Sequence, residues 1–532
     1  MKRGKIDPLI FWPSIITIVG VTLPMALNPE KVAPFVKAGV SFINNQVGWG
    51  FELLALGTLA FLIWLAAGRY GRVKLGTPDA APEFTTASWV AMIFCAGMGS
   101  SILYWSMMEP IYYMSGPPFG IAPNSAEARE WSTAYAMFHW GVVGWGIYAL
   151  PTLVIGYSFH VRKQVNLRIS VACRGILGRH ADGWVGKVID ILVIWGLVGS
   201  LGTSLGLGAP MVSAVVGKVL GVERTLVLDM AVVLVWVVIF STSVSLGLSS
   251  GIKKLSDINM YLVYFFAAFV LLAGPTLFIF SNFTNSLGLM LQNFFRMSLW
   301  TDPVAKGGFP QSWTMFYWAW WVACTPFMGL FVARISRGRT LREIIQAMLV
   351  WGPLGGWVYI AIFGGYAIHL ESGGILAVTK VLAEKGGPAT VVALIDTLPL
   401  AGLIFPLFAV LAFIFLATSL DSACFVLASI ATRDLGTGDE PALWHRLFWA
   451  AILGLMAFAL MAIGGLKVVQ TSAVLAALPM AVVFLLMLFS LHRWLKEDHG
   501  HAADRTGVPA ESRAQEAAAD TSEEGDAAQI AV

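Results

Sequence analysis

The chain has 532 residues, of which 57% are hydrophobic and only 12% charged, about half the charged share of a soluble domain. With 21 Trp, 33 Phe and 54 Gly, a particle of this size lacks the polar surface to cover itself in water, which excludes a soluble enzyme. A net charge of +3 leaves no basic surplus for nucleic acid, and Cys95, Cys173, Cys324 and Cys424 show neither a CxxC pair nor zinc-ligand spacing.

Roughly twenty apolar residues cross about 30 Å of hydrocarbon as a helix. Such runs fall at 8–27, 49–68, 87–114, 132–161, 188–216, 226–249, 258–281, 313–335, 344–369, 400–432, 443–464 and 470–494, which predicts an all-α polytopic membrane protein with twelve transmembrane helices, numbered here as spans 1 to 12. The first run follows Met-Lys-Arg-Gly-Lys and lacks a convincing small-residue cleavage site, so it reads as a retained anchor. Basic residues cluster at every second loop: Lys2, Arg3 and Lys5; Arg69, Arg72 and Lys74; Arg162, Lys163 and Arg168; Lys253 and Lys254; Arg334, Arg337, Arg339 and Arg342. Cytoplasmic loops carry that excess, so both termini are expected on the cytoplasmic side of the cell inner membrane.

Span 3 contains Cys95-Ala-Gly-Met-Gly-Ser-Ser101, and two glycines around one Met weaken a helix by roughly 1 kcal/mol each. Two readings follow: an unwound stretch lining a cavity, as transporters use for substrate and ion sites, or close packing through small residues. Glu109, before Pro110 in the same span, is a buried-acid candidate or the holder of a helix end. In span 4, Trp140, Trp145 and Tyr148 can share one broad helical face, while His139 stands isolated from other catalytic residue types, so no enzyme constellation is expected. Between spans 7 and 8, residues 283–312 carry an amphipathic piece, Leu287 to Leu299, expected to lie along the interface. Span 8 contains Trp313-Thr-Met-Phe-Tyr-Trp-Ala-Trp-Trp321, whose Trp318, Trp320 and Trp321 occupy different faces, so that at least one points into the bundle. Aromatic faces in a dry pocket attract a cation without a fixed carboxylate, and a quaternary ammonium has no N–H left unsatisfied there. In span 10, Thr418, Ser419 and Ser422 flank Asp421 and offer hard oxygens suited to an alkali cation, or simple back-bonds to the preceding turn. The tail from His499 is polar and acidic and is expected to be disordered.

These stretches resemble the betaine/carnitine/choline transporter family across roughly residues 8–495. The most specific is FYWAWW…FVARISRGRTLRE (316–343), supported by GMGSSILYWSMMEP (97–110), HWGVVGWGIYA (139–149), GTSLGLGAP (202–210), TDPVAKGGFPQSWT (301–314) and ATSLDSA (417–423). The resemblance implies a LeuT-like 5+5 inverted repeat after two extra N-terminal helices, assembled as a homotrimer. Its units would be an N-terminal segment at 1–86, a first repeat at 87–281, an interfacial connector at 282–312, a second repeat at 313–495 and a disordered acidic tail at 496–532. It implies an aromatic substrate box of Trp140, Trp145, Tyr148, Trp320 and Trp321, with Met98, Cys324 and Met328 beside it and the backbone of Ala96 to Gly99 opposite the substrate. One sodium site would use carbonyls near Cys95 and Met98 with Thr418 and Ser419. A second would use Thr203 or Ser204 beside Phe327.

The implied function is import of a betaine-type onium solute by sodium symport, with Na+ as the coupling ion and no cofactor. Two alternatives stand beside it: a sodium-independent carnitine/betaine-type exchanger, and a proton-coupled choline importer with Glu109 as the candidate acid. Met328 and PPFG (117–120) resemble the exchangers, yet those lose the Thr-Ser pair that this chain keeps at 418–419. Lys253 lies near the position where an exchanger arginine stands in for sodium. Several members carry Trp at the position of Cys324, and osmosensing members have basic tails where this one is acidic.

Overall fold

The computed structural model describes residues 5–98, 101–164, 168–246, 253–433, 441–463 and 466–500. Apart from a two-residue antiparallel pair, β1 (Lys5–Ile6) with β2 (Thr432–Arg433), the described elements are helices. Inside a bilayer only a helix satisfies every backbone group within one segment.

The chain opens with α1 (Pro8–Leu27), α2 (Pro29–Phe42) and α3 (Gly48–Ala67), followed by α4 (Thr86–Met98), α5 (Ser101–Ser115), α6 (Ala126–His139) and α7 (Val142–Gly156). Two short helices, α8 (Ile169–Ala172) and α9 (Arg174–Leu177), lead into the long α10 (Trp184–Leu220), then α11 (Leu226–Leu246) and α12 (Lys253–Ala273). Next come α13 (Thr276–Gln292), α14 (Phe294–Ser298), α15 (Phe309–Ser312) and α16 (Thr314–Ile335). The remainder is α17 (Leu341–Gln346), α18 (Gly352–Tyr359), α19 (Gly365–Ser372), α20 (Val378–Asp396), α21 (Ala401–Ile430), α22 (Leu443–Ile463) and α23 (Leu466–His499). Local chemistry starts several of these. The Asp7 carboxylate caps α1 through the Leu9 N–H, Ser125 caps α6 through the Ala128 N–H, and a Thr340/Glu343 capping box opens α17.

Among the described residues, six helices are long and apolar enough to cross a membrane, or eight if each of two bent pairs is one span. Among them are Ala126–Val161, Trp184–Leu220 and Phe309–Ile335. Of the two readings of span 3, the interruption is the one found: α4 and α5 meet at 61°. Span 7 differs from its expected course to 281, because α12 ends at Ala273 and α13 leaves it at 105°. Pro275 has no N–H to continue the ladder, and the Thr276 hydroxyl satisfies the Leu271 carbonyl at 2.6 Å. The amphipathic connector therefore starts at Thr276 rather than near 282, burying Ile279, Ser286 and Met290 against α6 and exposing Leu277 and Phe280.

Residues 496–499, expected to belong to the disordered tail, are helical. The helix α23 continues to His499, where Arg162 pairs with Glu497 at 2.8 Å and with Asp498 at 2.7 Å, and the Tyr157 hydroxyl donates to Asp498 at 2.6 Å. The rest of the tail, 501–532, lies outside the described residues. Helix α20, not anticipated as an element, bends at Gly386 (φ 76°) and packs on α5, bringing Gly387 against the Tyr104 hydroxyl. At the centre α16 packs on α7, α10 and α23, and α10 on α21. The backbones of α7 and α16 approach closely because Gly329 sits against Pro151 and Ile155.

Candidate functional site

A cavity of about 60 Å³, room for a few water molecules, lies at the α4–α5 break. Ala96, Gly97, Met98 and Ser101 form one wall. Trp140 and Tyr148 form the second, and Trp320, Trp321, Cys324 and Phe327 of α16 the third. Leu201 and Ser204 of α10, with Leu416 and Leu420 of α21, complete it.

The aromatic residues meet as a cluster. The Trp140 ring lies 6.1 Å from Trp320 and 5.7 Å from Trp321, both edge-on, and Tyr148 lies 4.3 Å from Trp321. Trp320 is backed by Phe316, stacked at 5.9 Å. The Cys324 thiol lies against the hydroxyls of Tyr148 and Ser200. Nε1 of Trp320 and of Trp321 is buried without a hydrogen-bond partner among the described residues, a cost of about 1–3 kcal/mol each.

Two expected substrate residues are placed elsewhere. Trp145 is fully buried and is not among the lining residues; its ring is wedged between Gly97 and Gly352, where a Cβ would meet it at 2.4 Å in each case. It remains in the ring cluster, 6.2 Å from Tyr148 and 6.3 Å from Trp321, and backs the box rather than lining it. Met328, one turn beyond Cys324, is buried and is not a lining residue either. Of the expected ion-site residues, Met98, Ser204 and Phe327 line the cavity. The side chains of Cys95, Thr203, Thr418 and Ser419, and those of Asp421, Ser422 and Lys253, lie outside the described residues, as does Gly99.

Directly behind the box lies a polar layer; Glu109 was expected as a buried acid and is buried, but its partners were not foreseen. Glu109 accepts from the Tyr113 hydroxyl at 2.5 Å, from Trp140 Nε1 at 2.8 Å and from the Tyr317 hydroxyl. His139, expected to stand alone, has Nδ1 2.7 Å from the Tyr113 hydroxyl and 3.4 Å from Glu109, and Nε2 3.1 Å from Thr314 Oγ1. Its ring stacks on Tyr317 at 4.6 Å. A signal was available in part, since Glu109 and Tyr113 are four residues apart on α5 and face the same way. Leu201, Leu416 and Leu420 carried no signal.

The family profile described as BCCT, betaine/carnitine/choline family transporter, matches residues 9–500. That span takes in the described helices, the aromatic cluster and the helix break beside it. The chain therefore belongs to the betaine/carnitine/choline transporter family: it is a multi-pass membrane transporter of betaine-, carnitine- and choline-type substrates and not an enzyme.

Proposed function

We propose that the chain imports a betaine-type onium solute across the cell inner membrane by alternating access, driven by sodium. The observation that carries this reading is the meeting of the Trp140, Tyr148, Trp320 and Trp321 rings around one cavity at a broken membrane helix. Ring quadrupoles hold the methylated cationic head. The two indole N–H groups without partners are donors for the carboxylate of a zwitterion. Sodium is favoured because the turn of α21 between Leu416 and Leu420, which bears Thr418 and Ser419, borders the cavity beside Met98, while Ser204 and Phe327 do so from α10 and α16. Sodium bound between the α4–α5 break and α21 would order the wall of the box. Closure on the outside would then release both ligands inward by movement of one bundle against the other. At a potential of about 100 mV each sodium contributes roughly 2.3 kcal/mol, a roughly fortyfold concentrating power for a zwitterion.

The architecture belongs to the same proposal: twelve spans, arranged as two inverted five-helix repeats after two N-terminal helices in a LeuT-like fold, and three copies per assembly. Four shorter apolar helices (Pro8–Pro24, Leu226–Thr242, Ala401–Ala417 and Leu443–Ala459) fall where the sequence places spans 1, 6, 10 and 11, which supports that number.

The test is uptake of labelled glycine betaine and carnitine into proteoliposomes, with and without an inward sodium gradient, and again with unlabelled betaine preloaded. Sodium-dependent accumulation is the expected result; uptake that needs only preloaded substrate would establish the exchanger instead. Trp320→Ala and Trp321→Ala are each expected to weaken apparent affinity by about 1–2 kcal/mol. Unchanged affinity in both would remove the box assignment.

A further inference from the structure

Behind the box, the Glu109 carboxylate, the His139 ring and the hydroxyls of Tyr113, Tyr317 and Thr314 form one cluster in which no residue is more than 1% exposed. Hydrogen accounting constrains its protonation. Tyr113 has a single hydroxyl hydrogen, and its oxygen lies 2.5 Å from Glu109 Oε1 and 2.7 Å from His139 Nδ1. While Glu109 is ionised, that hydrogen goes to Oε1, so Nδ1 must carry a hydrogen and donate it to the Tyr113 oxygen. Nε2, 3.1 Å from Thr314 Oγ1, then accepts from the threonine hydroxyl. A further proton on Nε2 reverses only this last contact, with Nε2–H donating to Oγ1 and the hydroxyl hydrogen turning away. The five groups keep all their mutual contacts in both states, while the charge of the cluster changes from −1 to zero.

That charge is wired to the cavity. Trp140 Nε1 donates to Glu109 Oε2 at 2.8 Å, and the Trp140 ring lines the cavity edge-on to Trp320 and Trp321. We propose that Glu109 and His139 form a single-proton site linked to onium occupancy of the aromatic cavity: the deprotonated, anionic cluster holds the cation, and protonation loosens it. This rests on the reading of that cavity as the onium site. The groups facing His139 come from three elements: Glu109 and Tyr113 from α5, Tyr317 and Thr314 from α16, and Tyr135 from its own helix at 5.6 Å. Tyr135 in turn feels Glu52 of α3 and Arg296 of α14, which oppose each other in sign. A cation held within about 6 Å of the Trp140 ring lies roughly 8 Å from the carboxylate, and at an effective dielectric near 20 one charge at that distance changes affinity on the order of tenfold.

The experiment measures equilibrium binding of labelled choline, a cation without a carboxylate, to the full-length protein at fixed sodium between about pH 5.5 and 8.5. The wild type is expected to bind on the order of tenfold more weakly at the acid end. His139→Gln should keep the tight alkaline affinity across the range, and Glu109→Gln, which lacks the anion, should bind more weakly than wild type at the alkaline end. Saturating choline added to the wild type in weak buffer near pH 6.5 should release protons, read with a pH dye, and His139→Gln should release none. A flat wild-type profile, no proton release by the wild type, or a His139→Gln variant that follows the wild-type profile overturns the proton site while leaving the cavity reading intact. Absence of saturable choline and glycine betaine binding to the wild type at every pH overturns both.

Discussion

Two of the large rings near the cavity, Trp145 and Trp321, have glycines opposite them, as does the Met98 side chain. A Cβ at Gly97 or Gly352 would stand 2.4 Å from the Trp145 ring, one at Gly144 2.9 Å from Trp321, and one at Gly356 2.8 Å from the end of Met98. An indole in a packed interior has nowhere to go, so the cost is overpacking of about 1–3 kcal/mol. Gly97→Ala and Gly352→Ala are therefore expected to lower uptake at subsaturating substrate by about fivefold or more. Gly146→Ala on the same helix as Trp145, whose nearest neighbour would be 3.6 Å away, should stay near wild type. Initial rates for the three variants in one proteoliposome preparation decide the matter, and equal losses would mean that Trp145 is not pinned. At this scale the richness in aromatic residues is legible in the sequence, whereas the partition between lining rings and supporting rings is not. Trp145 backs the box because its ring fills the space left by Gly97 and Gly352, residues distant in the chain, which periodicity alone does not register.

The helix ends beside the basic loops are held by charge. Asp7 caps α1 and also meets Arg168 at 3.3 Å, Arg433 at 3.1 Å and Lys187 at 4.0 Å, tying the first helix to β2 and the start of α10. Burial acts to raise the Asp7 carboxyl, but the Arg433 hydrogen bond and the charges of Arg168, Lys187 and Arg433 outweigh it and hold the group below its ordinary value. Because the folded state favours the ionised form, this contribution is complete above the unfolded carboxylate value of about 3.9 and disappears as pH falls through the lowered folded value. Asp7→Asn should melt at a lower temperature than wild type at pH 7, and the gap should narrow as pH drops from about 5 towards 3. A gap that stays constant with pH would show that the carboxylate's charge is not what holds these ends. The basic residues of these loops are legible as an orientation signal. Their acid partner is not, because Asp7 and Arg433 are 426 residues apart and meet only through the fold.

Over the whole molecule, apolar side chains such as Phe35, Tyr261, Leu272 and Leu277 remain more than 75% exposed. For a membrane transporter these are lipid-facing or subunit-facing surface, not a liability. The twelve proposed spans, an even number, would put both termini on one side, and the basic loops lead us to expect that side to be cytoplasmic. A fluorescent-protein fusion to the C-terminus should glow and an alkaline-phosphatase fusion there should be inactive; active phosphatase would require an odd number of spans or an inverted chain. Fusions within α20 should behave the opposite way, since that helix follows span 9.

Hydropathy, the alternation of basic loops and the motifs around Trp140 and Trp320 belong to the sequence by itself, because each depends on residue type at short range. They determined a polytopic helical membrane protein, its family resemblance, and the glycine pair and aromatic clusters from which a break in span 3 and a box are expected. Tertiary structure decided the rest: that Trp145 supports the box from behind, that the connector leaves span 7 at Gly274–Pro275, and that Glu109 and His139 share one sealed cluster. Glu109 and Tyr113 lie on one helix and His139 on another beyond a loop, and the Tyr113–His139 hydrogen bond across that distance leaves no local trace in the chain.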